Sequence, residues 1–306
     1  MRKTTLLITL LLISICLNAC SPATVATPQP QGLKVLAAES FLADIAQNVA
    51  GERLTVEALV PPGVDPHEFE PAPQDIAKIA QSRMLIVNGL GYETWLQKTL
   101  ENGGGPGQAA LVVVASKGLT PIVDPSGEHA EGDPHMWMNP INVIRYVENI
   151  RDGLTQIDPA GKATYARNAE AYTYRLRDLD QMARRQTSYI PVEKRLLVTN
   201  HDSLGYFAQA YDFKIAGTII PGVTDAASPS AQELAALIKA IKSSGAPAVF
   251  LGVGDNQTLA QQIAAETGVK IVSDIYVEGL SAPGGPAATY MDMIQYDVTQ
   301  IIAALQ

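Results

Sequence analysis

The feature that most constrains the fold is a stretch from Lys162 to Ile190 that contains neither glycine nor proline. Apolar side chains recur in it at intervals of four and three residues, which is the spacing of one face of an α-helix. These residues are Tyr165, Ala169, Tyr172, Leu176 and Leu179. At 1.5 Å per residue the helix is roughly 43 Å long. It lies between two segments rich in strand and helix signals, so we expect a spine helix that joins two lobes.

Short apolar runs alternate with helical segments on both sides of this helix, as at Met84–Val87, Leu196–Thr199 and Lys270–Val272. Such runs are typical of a mostly parallel sheet with helices on both faces. The sequence therefore predicts an α/β protein with two parallel-sheet lobes. We expect an N-terminal lobe over residues 33–158, the connecting helix over 159–190 and a C-terminal lobe over 191–306.

The N-terminus carries export signals. Arg2 and Lys3 precede an apolar stretch from Leu6 to Cys16, which has the length of a signal peptide and not of a membrane span. The following Leu-Asn-Ala-Cys, ending at Cys20, resembles the lipobox of bacterial lipoproteins. That resemblance implies removal of residues 1–19 and acylation of Cys20, with residues 20–32 as a flexible linker. The alternative is an ordinary signal peptide followed by an incidental cysteine.

Cysteine content and charge exclude several classes of protein. Cys16 and Cys20 are the two cysteines of the chain, and neither would lie in the folded part, so disulfides and cysteine zinc sites are not expected. Loss of residues 1–19 would change the net charge from −9 to −11, because Arg2 and Lys3 leave with them. An acidic surface without basic runs argues against nucleic acid as a partner.

Three of the four histidines occupy similar positions in the sequence. His67, His135 and His201, together with Asp274, each follow a short strand-like run and precede a helix-like one. Imidazole nitrogens and a carboxylate oxygen are the ligands expected for Zn²⁺ or a similar divalent metal. Two of the four lie before the spine helix and two after it. We therefore predict a metal site in the cleft between the lobes, at the carboxyl ends of strands.

The tripeptide Asp-Pro-His occurs twice, and its histidine is in each case one of the first two candidate ligands. Pro66 and Pro134 restrict the backbone immediately before His67 and His135, which favours fixed ligand positions. Acidic neighbours are candidates for acceptors of imidazole N–H groups, an arrangement common around metal sites. These candidates are Asp65, Glu68, Asp133 and Asp202.

Several motifs together resemble the metal-binding lipoproteins of zinc and manganese ABC importers, the TroA-like solute-binding proteins. They are PPGVDPHEFEPAPQD around His67, NGLGYETW from Asn88, DPHMWMNP around His135 and the late SAPGGPAATY. The resemblance covers the chain from Leu33 to the last helix. It implies two α/β lobes joined by one long helix, limited domain closure and delivery of the ion to a membrane permease. It also implies that His67, His135, His201 and Asp274 are the ligands.

The third ligand position bears on the choice of metal. Relatives that favour manganese often have glutamate there, whereas His201 is typical of zinc-type members. Imidazole suits Zn²⁺ and added carboxylate suits Mn²⁺, so we predict zinc, with manganese or dual binding as the alternative. The chain departs from zinc members in having a short loop around His129 instead of a long His-rich one. It also has Gly252 where relatives commonly place a glutamate.

A filled four-ligand shell predicts a binding protein and not an enzyme, because catalytic zinc keeps an open position. We expect a monomer that is lipid-anchored on the outer side of the bacterial membrane. Since the histidines must be neutral to bind metal, affinity should fall below about pH 6.5. Two alternatives remain: a zinc hydrolase with Asp274 as general base, and a cell-adhesion protein whose metal is structural.

Overall fold

The structure is a computed structural model that describes residues 32–67, 69–99, 111–123, 131–222 and 228–306. The first half of the described chain forms four strands and four α-helices: β1 Val35–Ala37, α1 Ser40–Ala50, β2 Val56–Ala58, α2 Pro73–Gln81, β3 Met84–Val87, α3 Thr94–Thr99, β4 Leu111–Val114 and α4 Pro140–Ile157. The long helix α5 then covers Lys162–Thr187.

The second half begins with strand β5. It comprises β5 Leu196–Thr199, α6 Gly205–Tyr211, β6 Lys214–Thr218, α7 Ala231–Ser244, β7 Ala248–Gly252, α8 Gln257–Thr267, β8 Lys270–Ile275 and α9 Tyr290–Leu305. Within the ranges given above, no helix combines the length and apolar character needed to cross a bilayer.

Two four-stranded sheets organise the molecule, one on each side of α5 in the sequence. Their strand orders are β2-β1-β3-β4 and β6-β5-β7-β8, and every strand pairing is parallel. The second sheet therefore repeats the topology of the first. In a parallel sheet the carboxyl ends of all strands meet at one edge, where α/β proteins usually bind ligands. The predicted fold class, two parallel sheets with flanking helices, is confirmed.

The long helix lies against a core that both halves share. The predicted apolar stripe is buried: Tyr165, Ala169, Tyr172, Leu176 and Leu179 are all at most 4% exposed. Their hydrophobic cluster continues from strand β1 through α5 to the last helix α9. A continuous apolar core opposes free movement of the two halves, because separating them would expose that surface to water.

Hydrogen bonds from the C-terminal half to α1 reinforce this contact. The backbone N–H of Leu280 donates to Ser40 Oγ at 2.9 Å, and that of Tyr290 donates to Asp44 Oδ2 at 3.0 Å. The Tyr290 hydroxyl also donates to the carbonyl oxygen of Trp137 at 2.6 Å. The N-terminus of α9 is thereby attached to the first half of the chain, close to the loop that carries His135.

Three elements differ from the sequence-based expectation. Strand β6, Lys214–Thr218, was not predicted, because KIAGT contains a glycine and no continuous run of large apolar residues. Strand β8 was expected to end at Val272 and continues to Ile275. Helix α5 ends at Thr187, three residues earlier than expected. The domain limits at residues 158 and 190 stay predictions.

Candidate metal centre

Four side chains converge where the carboxyl edges of the two sheets face each other. His67 follows β2, His135 follows β4, His201 follows β5 and Glu278 follows β8. One potential ligand atom from each lies within 4.8 Å of all the others, as expected for a group able to hold a metal ion. The first two residues belong to one half of the chain and the last two to the other. The prediction that His67, His135 and His201 come together is therefore matched by the geometry.

The Glu278 carboxylate lies at the centre of the three imidazole rings. Its Oε1 is 3.1 Å from His201 Nε2 and 3.3 Å from His135 Nε2. Its Oε2 is 3.8 Å from His67 Nε2. His135 is fully buried, and the His67 and His201 side chains are each 4% exposed. All three Nε2 atoms thus point into one small, nearly dry space, which a single cation could fill.

Asp274 does not lie in this group. It is exposed on β8, and its Oδ2 accepts a hydrogen bond of 2.7 Å from the hydroxyl of Tyr296 on α9. The expectation that Asp274 joins the three histidines is not met: the converging group contains Glu278 in its place, and the cause is the length of β8. Because the strand continues to Ile275, the carboxyl end of the sheet lies three residues later than expected. The next acidic residue beyond that end is Glu278, which sequence reasoning missed.

The two Asp-Pro-His tripeptides adopt the same local hydrogen bond. Asp65 Oδ1 accepts from the backbone N–H of His67 at 2.8 Å, and Asp133 Oδ1 accepts from that of His135 at 2.9 Å. Each aspartate thus fixes the backbone of the histidine two residues later, in the manner of an Asx turn. The repeated sequence therefore encodes a repeated local structure on both loops of the first half.

Asp133 also orients the ring of His135. Its Oδ1 lies 2.8 Å from His135 Nδ1, so that Nδ1–H donates to the carboxylate and Nε2 faces Glu278. A carboxylate on the far nitrogen of an imidazole fixes the tautomer and makes the other nitrogen a better metal donor. The expected role of Asp133 as acceptor for a histidine N–H is confirmed. Glu68, His129 and Cys20 lie outside the described residues.

Tyr92 connects the two halves of the centre and was not identified from the sequence. Its buried hydroxyl donates to Glu278 Oε2 at 2.5 Å, and its ring packs edge-on against His67 with centroids 4.6 Å apart. The turn before α3 places this residue. Gly89, Leu90 and Gly91 have positive φ values of 89°, 57° and 71°, a conformation that glycine adopts without steric cost.

Glu93 stabilises the same turn from inside. Its carboxylate accepts from the backbone N–H of Asn88, and from that of Gly89 at 3.1 Å. Burial raises the pKa of Glu93 to about 7, although these two donors act in the opposite direction. The motif Asn-Gly-Leu-Gly-Tyr-Glu thus forms a rigid loop that presents the Tyr92 hydroxyl to Glu278.

The imidazole of His135 and the carboxylate of Glu278 shift each other's pKa in opposite directions. Burial alone would lower the pKa of His135, but the charges of Glu278 and Asp133 raise it to about 9. Burial alone would raise the pKa of Glu278, but the charge of His135 and hydrogen bonds from His135 and His201 hold it well below its usual range. In the metal-free protein an imidazolium therefore faces a carboxylate. A metal ion must displace this proton to bind.

Comparisons with known proteins agree with this architecture. The family described as zinc-uptake complex component A, periplasmic, matches residues 35–304. A manganese-binding lipoprotein, MntA, from Halalkalibacterium halodurans is 32% identical over 308 residues, which cover 100% of this chain and 99% of that protein.

Two solved structures are similar throughout. The Mn-bound S38A mutant of a periplasmic metal-binding protein from Candidatus Liberibacter asiaticus has a TM-score of 0.81 at 30% identity and covers 90% of this chain and 100% of that one. The periplasmic zinc-binding protein TroA from Treponema pallidum has a TM-score of 0.79 at 27% identity. The match covers 89% of this chain and 99% of that one.

Fold, site and comparisons define a substrate-binding protein of a metal ABC transporter, a class without enzymatic activity. The chain belongs to the zinc-uptake component A family, whose model matches nearly its whole folded part. The resemblance to TroA-like proteins and the expectation of a non-enzyme are thereby confirmed, and the hydrolase alternative is excluded. Lipidation of Cys20 and the preference for zinc stay predictions.

Proposed function

We propose that the protein captures one divalent transition-metal ion with His67, His135, His201 and Glu278 and delivers it to a membrane permease. The observation that carries this proposal is the convergence of four ligand atoms within 4.8 Å, two from each half of the chain. An ion held in this way joins the two carboxyl edges, so binding and a small closure of the halves favour each other. Docking on the permease would favour the more open arrangement and so release the ion.

Zinc is the cargo that we propose first. Three imidazoles and one carboxylate form a four-donor set, which suits the tetrahedral preference of Zn²⁺. The Tyr92 hydroxyl holds Glu278 Oε2, which leaves Oε1 as the oxygen directed at His135 and His201. A carboxylate that binds through one oxygen completes four-coordination. The structurally similar TroA is named a zinc-binding protein.

Manganese is a second candidate, and a specific observation favours it. Both oxygens of Glu278 face imidazole nitrogens, so the carboxylate could bind through both and provide a fifth donor. A harder ion with higher coordination numbers benefits from the added oxygen. The relative from Halalkalibacterium halodurans is named a manganese-binding lipoprotein, and the structure from Candidatus Liberibacter asiaticus is described as Mn-bound.

The proposed setting is the outer side of the bacterial membrane. Related chains are named lipoproteins of metal ABC transporters, in agreement with the expected acylation of Cys20. The linker over residues 20–32 would tether the domain near its permease. We propose that the domain acts as a monomer, since the four ligands all come from one chain.

The test is a calorimetric titration of metal-stripped protein, residues 21–306, with Zn²⁺ and separately with Mn²⁺. The proposal requires one site per chain with nanomolar affinity for at least one of these ions. The variant His201→Ala removes one of four donors and should weaken binding about 100-fold or more. Zinc binding much tighter than manganese binding would establish zinc as cargo, and the reverse order would establish manganese. Failure of both ions to bind would refute the proposed function.

A further inference from the structure

A completely buried acid, Glu39, lies at the carboxyl end of β1 and does not belong to the candidate ligand set. It occupies the N-cap position of α1, yet its side chain makes no capping hydrogen bond. Within the described part of the chain, neither of its carboxyl oxygens accepts a hydrogen bond from a donor. Burial without donors disfavours the charged form of a carboxyl group, so we expect Glu39 to carry a proton.

The polar neighbour of this carboxyl group is Glu93. A side-chain hydrogen bond joins the two carboxyl groups. Glu93 already accepts from the backbone N–H groups of Asn88 and Gly89, so its oxygens act as acceptors. The proton between the two carboxyl groups therefore belongs to Glu39. Burial and the charge of Glu93 raise the pKa of Glu39 well above its usual range, in agreement with this assignment.

The contacts at the start of α1 reach Glu278 from two sides. On one side, Glu93 holds the turn from which the Tyr92 hydroxyl donates to Glu278 Oε2. On the other side, the Oγ of Ser40 accepts from the backbone N–H of Leu280, two residues beyond Glu278. The fourth candidate ligand is thus held through two adjacent residues of the first half of the chain.

We propose that Glu39 is a positioning residue of the metal site: its protonated carboxyl group holds Glu93 and thereby the turn that places the Tyr92 hydroxyl. The metal then meets Glu278 through Oε1, which is the arrangement proposed above for zinc. Loss of this proton donor should let the turn relax and free Oε2, so that the preference shifts towards manganese. This inference rests on the proposed function and adds a residue outside the four ligands that sets the choice of metal.

Two variants of Glu39 separate the proton donor from the packing of the side chain. Glu39→Gln keeps a donor, because its amide N–H can donate to Glu93, whereas Glu39→Met has a similar length and no donor. Calorimetric titrations with Zn²⁺ and Mn²⁺ give the ratio of the two affinities. This ratio should fall about 3- to 10-fold in Glu39→Met and stay within about twofold of the wild type in Glu39→Gln. A wild-type ratio in Glu39→Met, or equal losses in both variants, would overturn the positioning role.

Combination with Tyr92→Phe shows whether Glu39 acts through the tyrosine hydroxyl. Because Tyr92→Phe has already lost that hydroxyl, adding Glu39→Met should change the ratio of zinc to manganese affinity no further. A second fall of the same size in the double variant would overturn this route, because it would mean that the two residues act independently.

An infrared measurement tests the proton itself and does not depend on the folding of an apolar variant. For the metal-free protein at neutral pH, the difference spectrum between wild type and Glu39→Gln should contain the C=O stretch of a protonated carboxyl group. Absence of this band would overturn the proposal even if the metal preference changes. Failure of the wild type to bind either ion would instead refute the proposed function and leave the band in place, so the two failures are distinguishable.

Discussion

The two halves of the metal centre hold their candidate ligands by different means. In the first half, His67 and His135 each follow an Asp-Pro pair whose aspartate bonds to the histidine backbone. In the second half, His201 and Glu278 share no motif, and Glu278 is held by Tyr92 from the opposite half. One pair is therefore positioned by local sequence, and the other depends on the assembled fold.

This difference indicates how the site would respond to its cargo. The first pair keeps its geometry whether or not the halves close, because its hydrogen bonds lie within single loops. Glu278 reaches its position through contacts between the halves, which include the 2.9 Å hydrogen bond from Trp137 Nε1 to the carbonyl oxygen of Val277. Changes in the first half should therefore alter affinity directly, and changes at the contact between the halves should alter metal preference.

The largest effect is expected from loss of a locally held ligand. His135→Ala removes one of four donors, and an even share of a total of roughly 10–16 kcal/mol corresponds to about 100- to 1,000-fold weaker binding. Competition titration with a chromophoric chelator measures this loss. His129→Ala, a histidine outside the described residues, is the control and should bind within threefold of the wild type. Equal losses in both variants would contradict the assignment.

The stability of the metal-free protein and its affinity for metal should change with pH in opposite directions. The raised pKa of His135, about 9, means that its stabilising contact with Glu278 is complete below about pH 6.5 and is lost as pH rises through 9. The lowered pKa of Glu278 preserves this contact down to below about pH 4.5. Metal affinity should change in the opposite direction and rise up to about tenfold per pH unit, as a proton leaves on binding.

Urea unfolding of the metal-free protein, together with metal titrations between pH 6 and 9.5, tests this opposition. Stability without metal should decrease over the range in which affinity increases. Parallel changes of the two quantities would mean that His135 is already neutral in the metal-free centre.

A smaller effect is expected when a ligand is kept but its support is changed. Asp133→Asn removes the charge that orients His135 Nδ1 and should weaken metal binding about 30-fold. At Asp65 the asparagine oxygen can still accept from the backbone N–H of His67, so Asp65→Asn should cost less. Calorimetry on both variants measures the ratio. A greater loss at Asp65 would argue against ring orientation as the role of Asp133.

The smallest effect on affinity is expected at the contact between the halves. The same change should have the clearest effect on the preference between zinc and manganese. Tyr92→Phe frees Glu278 Oε2 to bind the metal. Zinc affinity should fall about tenfold and manganese affinity less, since the harder ion uses a second oxygen better. The buried Tyr172→Phe is the control. An unchanged ratio of zinc to manganese affinity would show that Tyr92 does not set the carboxylate geometry.

Much of the fold could be predicted from the sequence because the patterns that indicate it lie within single elements. The stripe from Tyr165 to Leu179 predicted a long helix, and that stripe is buried. Continuous apolar runs such as Met84–Val87 predicted buried parallel strands. Strand β6 carried no such run, and its place beside β5 is set by sheet pairing and by α7 packed against it. Pairing across the chain is not visible in the spacing of apolar residues.

The residues of the candidate site likewise divide into those that local sequence identified and those that only the folded structure brings in. The repeated Asp-Pro-His identified His67 and His135, and a rare histidine after a strand identified His201. Asp274 was chosen because β8 was expected to end too early, and three further residues of strand moved the carboxyl edge towards Glu278. The turn chemistry of Gly89 and Gly91 offered a signal for Tyr92, but its target lies 186 residues away. Such long-range partners follow from the folded arrangement alone.

The assignment of Glu278 is the central claim, and paired carboxylate variants test it most directly. Zinc titrations of Glu278→Gln and Asp274→Asn change one charge each, at positions four residues apart, with Asp274 on β8 and Glu278 beyond its end. We predict that Glu278→Gln weakens zinc binding about 100-fold or more and that Asp274→Asn stays within threefold of the wild type. A severe loss in Asp274→Asn with near-normal binding in Glu278→Gln would contradict the metal centre described above.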